Sequence, residues 1–325
     1  MNRLAIIALV SLCAYCLLDV AVSMLVAALW RTRAIAPASL PPAVRARRLL
    51  QLRLMPSVAA FAVTLFVVTP AFMIFEPPHT DEKVGPMLAF LSVVALLQIG
   101  AAITFAARSA WLTGRVERQW LRSSQSIAAC DSRGLRAFAI QSSSPMVALV
   151  GVFAPKLIAS SSVIEACTSE EIACIVAHER GHFDARDNLK RWIMASAPDA
   201  LRWTRLHHEI VDTWHHAAED AADDAATGGD PAARAELAAL LLKVVRLAPQ
   251  PVWDAAIVSP FVEQHGLERR VKRLLQPDLE PPAPLALIPV IAVGATAVAI
   301  VAILSSPSTL KSIFETFERL VAFGR

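Results

Sequence analysis

The sequence predicts a mostly α-helical membrane protein: four transmembrane helices, with an α+β domain inserted between the third and the fourth. Four stretches, at about 4–30, 54–75, 86–107 and 285–306, are apolar over the roughly 20 residues needed to cross about 30 Å of hydrocarbon. Residues 108–283 form one polar insertion, enough for one compact domain. The whole chain is 55% hydrophobic and only 18% charged, with a mean hydropathy of +0.50, a balance that soluble proteins of this size seldom show. The expected divisions are therefore 1–107, 108–283 and 284–325.

The first apolar stretch is expected to be a retained span. Its apolar part is too long for the core of a signal peptide, and no Ala-x-Ala site precedes the basic loop. Asp19 lies inside it, and an ionisable group there should face other helices or water. Gln98 in span 3 is a candidate partner, with helix packing the favoured role. Orientation follows the arginines. Arg31, Arg33, Arg45, Arg47, Arg48 and Arg53 follow span 1, and Arg108, Arg115, Arg118 and Arg122 follow span 3. The short loop after span 2 carries Glu76, Asp81, Glu82 and Lys83. The expected topology puts both termini outside and the inserted domain in the cytoplasm of a bacterial-type plasma membrane. A net charge of +3 is too small to imply nucleic acid, and no motif for it is present. Cys13, Cys16, Cys130, Cys167 and Cys174 show neither metal-type pairing nor a disulfide framework.

Within the insertion, Ala110 to about Ala129 reads as an amphipathic helix leaving the membrane. Arg136–Ile140, Met146–Val150 and Leu157–Ala159 are short apolar runs split by Ser-Ser-Ser-Pro and Ala-Pro-Lys, the pattern of a small sheet. Packing as an internal strand is favoured for Met146–Val150, with strand addition by a substrate as the alternative. Thr168 with Glu171 three residues on forms a capping box, so a long helix starts there. Prolines at 277, 281, 282 and 284 mark a linker to span 4.

That long helix carries His178-Glu179-Arg180-Gly181-His182. Residues four apart project from one face, so the two histidines can grip one ion. Zinc accepts imidazole nitrogen and keeps an open fourth position for catalysis. Glu179 lies beside the ion without ligating it, where it can take a proton from a bound water. Two unrelated histidines on an exposed helix would give the same letters by chance, and two neighbours argue against that. Glu219-Asp220-Ala221-Ala222-Asp223 lies on a second helix, about 207–226, closed by Gly228-Gly229. Glu219 could complete the metal shell, and Asp223 could fix a ligand histidine from behind. A solvated acidic face is the plainer alternative, and His215 and His216 are rival ligands; His207 and His208 are expected at the surface. Asp187, in Arg186-Asp187-Asn188, either anchors the histidine helix or is an ordinary surface acid.

These features resemble the BlaR/MecR-type membrane metallopeptidases, the antirepressor family of the β-lactam response. The match rests on His178-Glu179-x-x-His182 with Arg186-Asp187-Asn188, on Glu219-x-x-Ala222-Asp223, on Leu267-Glu268-Arg269-Arg270-Val271, and on the three-plus-one spans. The resemblance implies a zincin-like (gluzincin) domain with one Zn2+ held by His178, His182 and Glu219, and Glu179 as general base and acid. It also implies a protein or peptide substrate, with a transcriptional repressor the natural guess and a separate sensor or repressor protein as partner. His265 and Arg270 are candidate oxyanion stabilisers; Tyr15, the single tyrosine, lies in span 1. Residues 307–325 leave little room for the penicillin-binding sensor those receptors carry after the last span, so direct antibiotic sensing is not expected. The second resemblance is to HtpX-like and CAAX-processing membrane proteases, implying quality control. A different class again is a non-catalytic signalling scaffold that keeps the site as structure.

Overall fold

The computed structural model describes residues 3–32, 40–77, 84–127, 134–142, 145–247, 258–260, 266–276 and 307–323. Among the described residues, three helices are long and apolar enough to cross a membrane: α1 (Arg3–Arg31), α2 (Pro42–Phe75) and α3 (Pro86–Leu121). They expose large apolar side chains such as Phe61, Phe66, Phe90, Leu97 and Ile103, a surface that suits lipid rather than water. The chain is thus a membrane protein. The expected fourth span, 285–306, the loop residues Asp81, Glu82 and Lys83 and the proline linker lie outside the described residues.

Two helix boundaries differ from the sequence reading, and length explains one of them. At 36 residues and about 1.5 Å per residue, α3 outruns the hydrocarbon it crosses. The amphipathic helix expected from Ala110 is its continuation, and it stops at Leu121 rather than near Ala129. Likewise α2 starts at Pro42, twelve positions before the apolar stretch, so much of the arginine-rich connection is helical. Within α2, Thr64–Val68 widens into a π-helical turn in which the Thr69 N–H reaches the Thr64 carbonyl. Pro70 follows, has no N–H and crowds the carbonyl four residues back, which accounts for the local widening.

Among the described residues the sheet has five strands: β1 (Ser124–Ser126), β2 (Ala137–Ile140), β3 (Val147–Val150), β4 (Lys156–Ser160) and β5 (Val258–Pro260), in the order β1-β2-β4-β3-β5. Only β2 and β4 run parallel. The three apolar runs are its centre; β1 and β5, three residues each, carry no period that a sequence could show. Both faces of β3 are covered, so it reads as an unbroken apolar run. Val147 and Leu149 join Leu157 and Ile175 in the main core. Ala148, Val150 and Ile158 sit under Trp120 at the end of α3.

Helices complete the unit: α4 (Ser161–Ala166), α5 (Ser169–Ala185), α6 (Asp187–Ser196), α7 (Arg205–Thr227), α8 (Pro231–Leu247), α9 (Leu267–Leu275) and α10 (Pro307–Phe323), with a 3-10 turn at Ala200–Trp203. The capping box is formed in both directions: Thr168 N–H donates to Glu171 at 2.8 Å, and Glu171 N–H to Thr168 Oγ1 at 3.3 Å. Gly228, left-handed at φ 58°, closes α7 as the Gly-Gly pair predicts. The start of α2 lies on α7: Ala46 and Leu49 pack with Met194, Trp214, Ala217 and Ala218.

Candidate metal centre

The site is built where α5 crosses α7. Gly181, inside the histidine motif, makes the crossing close. A Cβ added there would lie 3.1 Å from Ala222 Cα and 3.3 Å from Ala222 Cβ. With hydrogen on one side and a methyl on the other, the two backbones approach enough for Glu219 to face both histidines.

The result is a compact donor set. Ligand atoms of His178, His182 and Glu219 all lie within 4.8 Å of one another, and the three residues are buried. His178 Nε2 is 3.6 Å from Glu219 Oε2, and His182 Nε2 is 3.4 Å from Glu219 Oε1. The two imidazole rings stand nearly perpendicular, at 81°. Each ring is held from behind by a carboxylate. His178 Nδ1 lies 3.0 Å from Asp223 Oδ1, and His182 Nδ1 lies 2.9 Å from Asp187 Oδ2. A carboxylate can only accept, which assigns the proton to Nδ1 and frees each Nε2 lone pair to point at the other donors.

Asp187 is aimed by a break in the chain. Arg186 sits in the left-handed region (φ 56°) between α5 and α6, and that turn swings Asp187 back under His182. Asn188 then donates from Nδ2 to the Leu149 and Gly151 carbonyls, at 3.1 and 2.9 Å. The Arg-Asp-Asn triplet therefore ties the histidine helix to the sheet.

Electrostatics sharpen the roles available. Burial pushes the Glu179 carboxyl up, and neither of its oxygens has a hydrogen-bond partner among the described residues. Such a group is costly unless something polar belongs beside it. Burial would also raise Glu219 and Asp223, but the Arg270 guanidinium overrides it. Glu219 is held well below the usual carboxylate range, and Asp223 is held at about 2. Two neutralisable imidazoles and one ionised carboxylate at this spacing fit a zinc-type ion, and the orphaned Glu179 beside them fits a water.

His215 Nδ1 faces Arg191 Nη2 at 3.4 Å, and neither it nor His216 belongs to the donor group. His208 is exposed, whereas His207 accepts from Arg53 Nε at 2.7 Å. Arg270 points at Glu219 and Asp223. His265 lies outside the described residues. Sequence reasoning quoted Gly181 and Asn188 within its motifs but gave neither a role, and it missed the turn Pro198–Ala200, where the membrane helices converge. A small-residue match between Gly181 and Ala222 was the available signal, but it speaks only once the two helices are known to cross.

A helical membrane protein with a buried two-histidine, one-glutamate centre is a membrane-bound metallopeptidase in design. The family comparison agrees: the model described as BlaR1 peptidase M56 matches residues 13–274. The chain belongs to that family of proteases. A comparison with individually curated proteins returned no match.

Proposed function

We propose that this protein is a zinc-dependent endopeptidase cleaving a protein substrate on the cytoplasmic side of a bacterial-type plasma membrane. The observation that carries the reading is the donor set itself: three buried ligand atoms within 4.8 Å, with the unpartnered Glu179 carboxylate beside them. His178 and His182, through Nε2, and Glu219, through a carboxylate oxygen, would hold about one zinc per chain. When bound, zinc polarises the scissile carbonyl and brings the pKa of the attacking water to about 7. Asp223 and Asp187 keep the protons of His178 and His182 on Nδ1, so that Nε2 stays a donor to the ion. Glu179, buried beside the donor set with no other hydrogen-bond partner among the described residues, takes a proton from the attacking water and returns it to the leaving amine. The excess of arginine after the first and third spans supports the cytoplasmic placement. Family likeness favours a transcriptional repressor in a signalling pathway as substrate, with a separate sensor as partner.

The test is metal content and turnover of the full chain in detergent. Wild type and Glu179→Gln should each carry about one zinc, and His182→Ala and Glu219→Ala should lose it. Glu179→Gln should cut hydrolysis of a quenched-fluorescent peptide library by about 10²–10⁴. A folded wild type that takes up no supplied zinc, or a Glu179→Gln variant with full turnover, would end this reading.

A further inference from the structure

The acids on α7 meet a row of arginines on α9. Arg269 Nη1 donates to both oxygens of Asp220, at 2.8 and 2.7 Å, and its Nη2 to the His216 carbonyl at 3.2 Å. Arg273 Nη2 donates to Asp224 Oδ1 at 2.6 Å. Arg270 lies between them, 3% exposed. Its Nη1 is 2.9 Å from Glu219 Oε2, its Nη2 2.6 Å from Asp223 Oδ1 and its Nε 3.0 Å from Asp223 Oδ2. Two guanidinium nitrogens thereby donate to Asp223, and the third lies at ion-pair distance from Glu219, one helical turn away. Glu219 is the third ligand of the site described above, and Asp223 holds the back of His178.

We propose that Arg270 is the positioning residue of the metal centre, fixing Glu219 and, through Asp223, His178 in the geometry that receives the ion. The inference rests on the zinc-site reading. It needs a rigid, planar fork: a lysine ammonium is a point charge and cannot grip Asp223 with two fixed donors while also pairing with Glu219. Two effects of opposite sign meet at this residue. A buried cation beside the ligands repels an incoming dication, so its removal would tighten binding if charge dominated. Without the fork, Glu219 and Asp223 gain rotamer freedom and lose registry with the histidines, so removal weakens binding if positioning dominates. The geometry favours positioning, because one rigid group sets two of the three ligands at once. α9 is itself anchored independently of Arg270, by Leu274 in the main core and by Arg234 Nη2 donating to the Arg273 carbonyl at 2.8 Å.

The experiment measures zinc affinity by chelator competition, and the visible spectrum of the cobalt-substituted full chain in detergent. The proteins are wild type, Arg270→Lys, Arg270→Gln and Glu219→Ala. Arg270→Lys and Arg270→Gln should each weaken zinc about 10–100-fold, the range typical of lost partners behind metal ligands. Their cobalt bands should shift and weaken as the ligand field loosens, a change that a merely destabilised fold would not give. Tighter zinc in Arg270→Gln, or wild-type affinity and spectrum in Arg270→Lys, overturns the proposal in favour of charge alone. Where Arg270→Gln does not fold, Arg270→Lys decides by itself. Zinc absent from the wild type removes the metallopeptidase reading and this inference together. Zinc present in the wild type and absent from Glu219→Ala, with both Arg270 variants like wild type, removes this inference alone.

Discussion

His207 shows how a residue expected at the surface becomes a structural acceptor. Its Nδ1 accepts from Arg53 Nε at 2.7 Å, and the ring is half-buried. Burial first, then the charge of Arg53, with smaller repulsion from His208 and Arg202, lowers its pKa to about 4. The unfolded chain would titrate near 6.5, so between about 4 and 6.5 the unfolded state holds more protons and stability rises with pH. The contribution is complete above pH 6.5 and is lost as the solution is acidified towards 4. Thermal melts of the detergent-solubilised protein should therefore fall across that window. His207→Gln keeps an acceptor for Arg53 and should flatten the fall in part. His215, which burial pushes down to about 3, supplies a further share in the same direction. An unchanged acid profile in His207→Gln would show that His207 is not the group responsible.

At the scale of elements, the candidate metal centre depends on how closely two helices cross. α5 and α7 meet at Gly181 and Ala222, where an added methyl would lie 3.1 Å from a backbone carbon. Backbone cannot rotate away as a side-chain tip can, so Gly181→Ala should push α7 outward by a few tenths of an ångström. Helix propensity alone would favour alanine by about 1 kcal/mol, and overpacking costs about 1–3 kcal/mol in the other direction. The variant is expected to lose both thermal stability and zinc affinity, since Glu219 moves with α7. Calorimetric zinc titration and a melt settle it: equal or greater stability with wild-type affinity would show that the crossing has slack. The β-strands make a parallel point about legibility. β2, β3 and β4 were readable because each buries an apolar run, whereas β1 and β5 exist through pairing with neighbours far away in sequence.

On the scale of the whole molecule, the membrane helices and the helices that carry the histidines and Glu219 share one turn. α1 reaches it through Asp19, which accepts from Ala200 N–H at 2.8 Å, and through Tyr15, whose hydroxyl donates to the Pro198 carbonyl. α3 reaches it through Gln98, which donates to Asp19 at 2.8 Å and to the Pro198 carbonyl at 3.1 Å. α2 supplies Arg53 and Ser57, both donating to Asp199 Oδ2, at 2.6 and 2.5 Å. Pro198–Ala200 connects α6, just past the histidine helix, to α7, which carries Glu219. Removing Asp199 leaves Arg53 buried without that carboxylate, so Asp199→Ala should cost about 3–5 kcal/mol, the usual cost of breaking a buried pair. Asp19→Asn keeps an acceptor oxygen for Ala200 N–H and should cost far less. Unfolding followed in one detergent would check both, and an Asp199→Ala melt matching wild type would show that the turn is not held by these contacts.

The sequence by itself determined what repeats locally along the chain. The apolar stretches marked α1, α2 and α3, and Thr168 with Glu171 fixed where α5 begins. The four-residue spacing of His178 and His182 put both rings on one face, and Gly228 closed α7. Each of these follows from helix periodicity, capping or solvation, which act over a few residues. Tertiary structure alone decided what depends on distant segments meeting. It brought Glu219, rather than His215 or His216, to the histidines, and it turned Asp187 under His182 through the left-handed Arg186. It joined α9 to the acids of α7, and it gathered Asp19, Gln98 and Arg53 on one turn. Those outcomes rest on the approach of backbones at Gly181 and on buried charges finding partners far along the chain, and no local pattern encodes either.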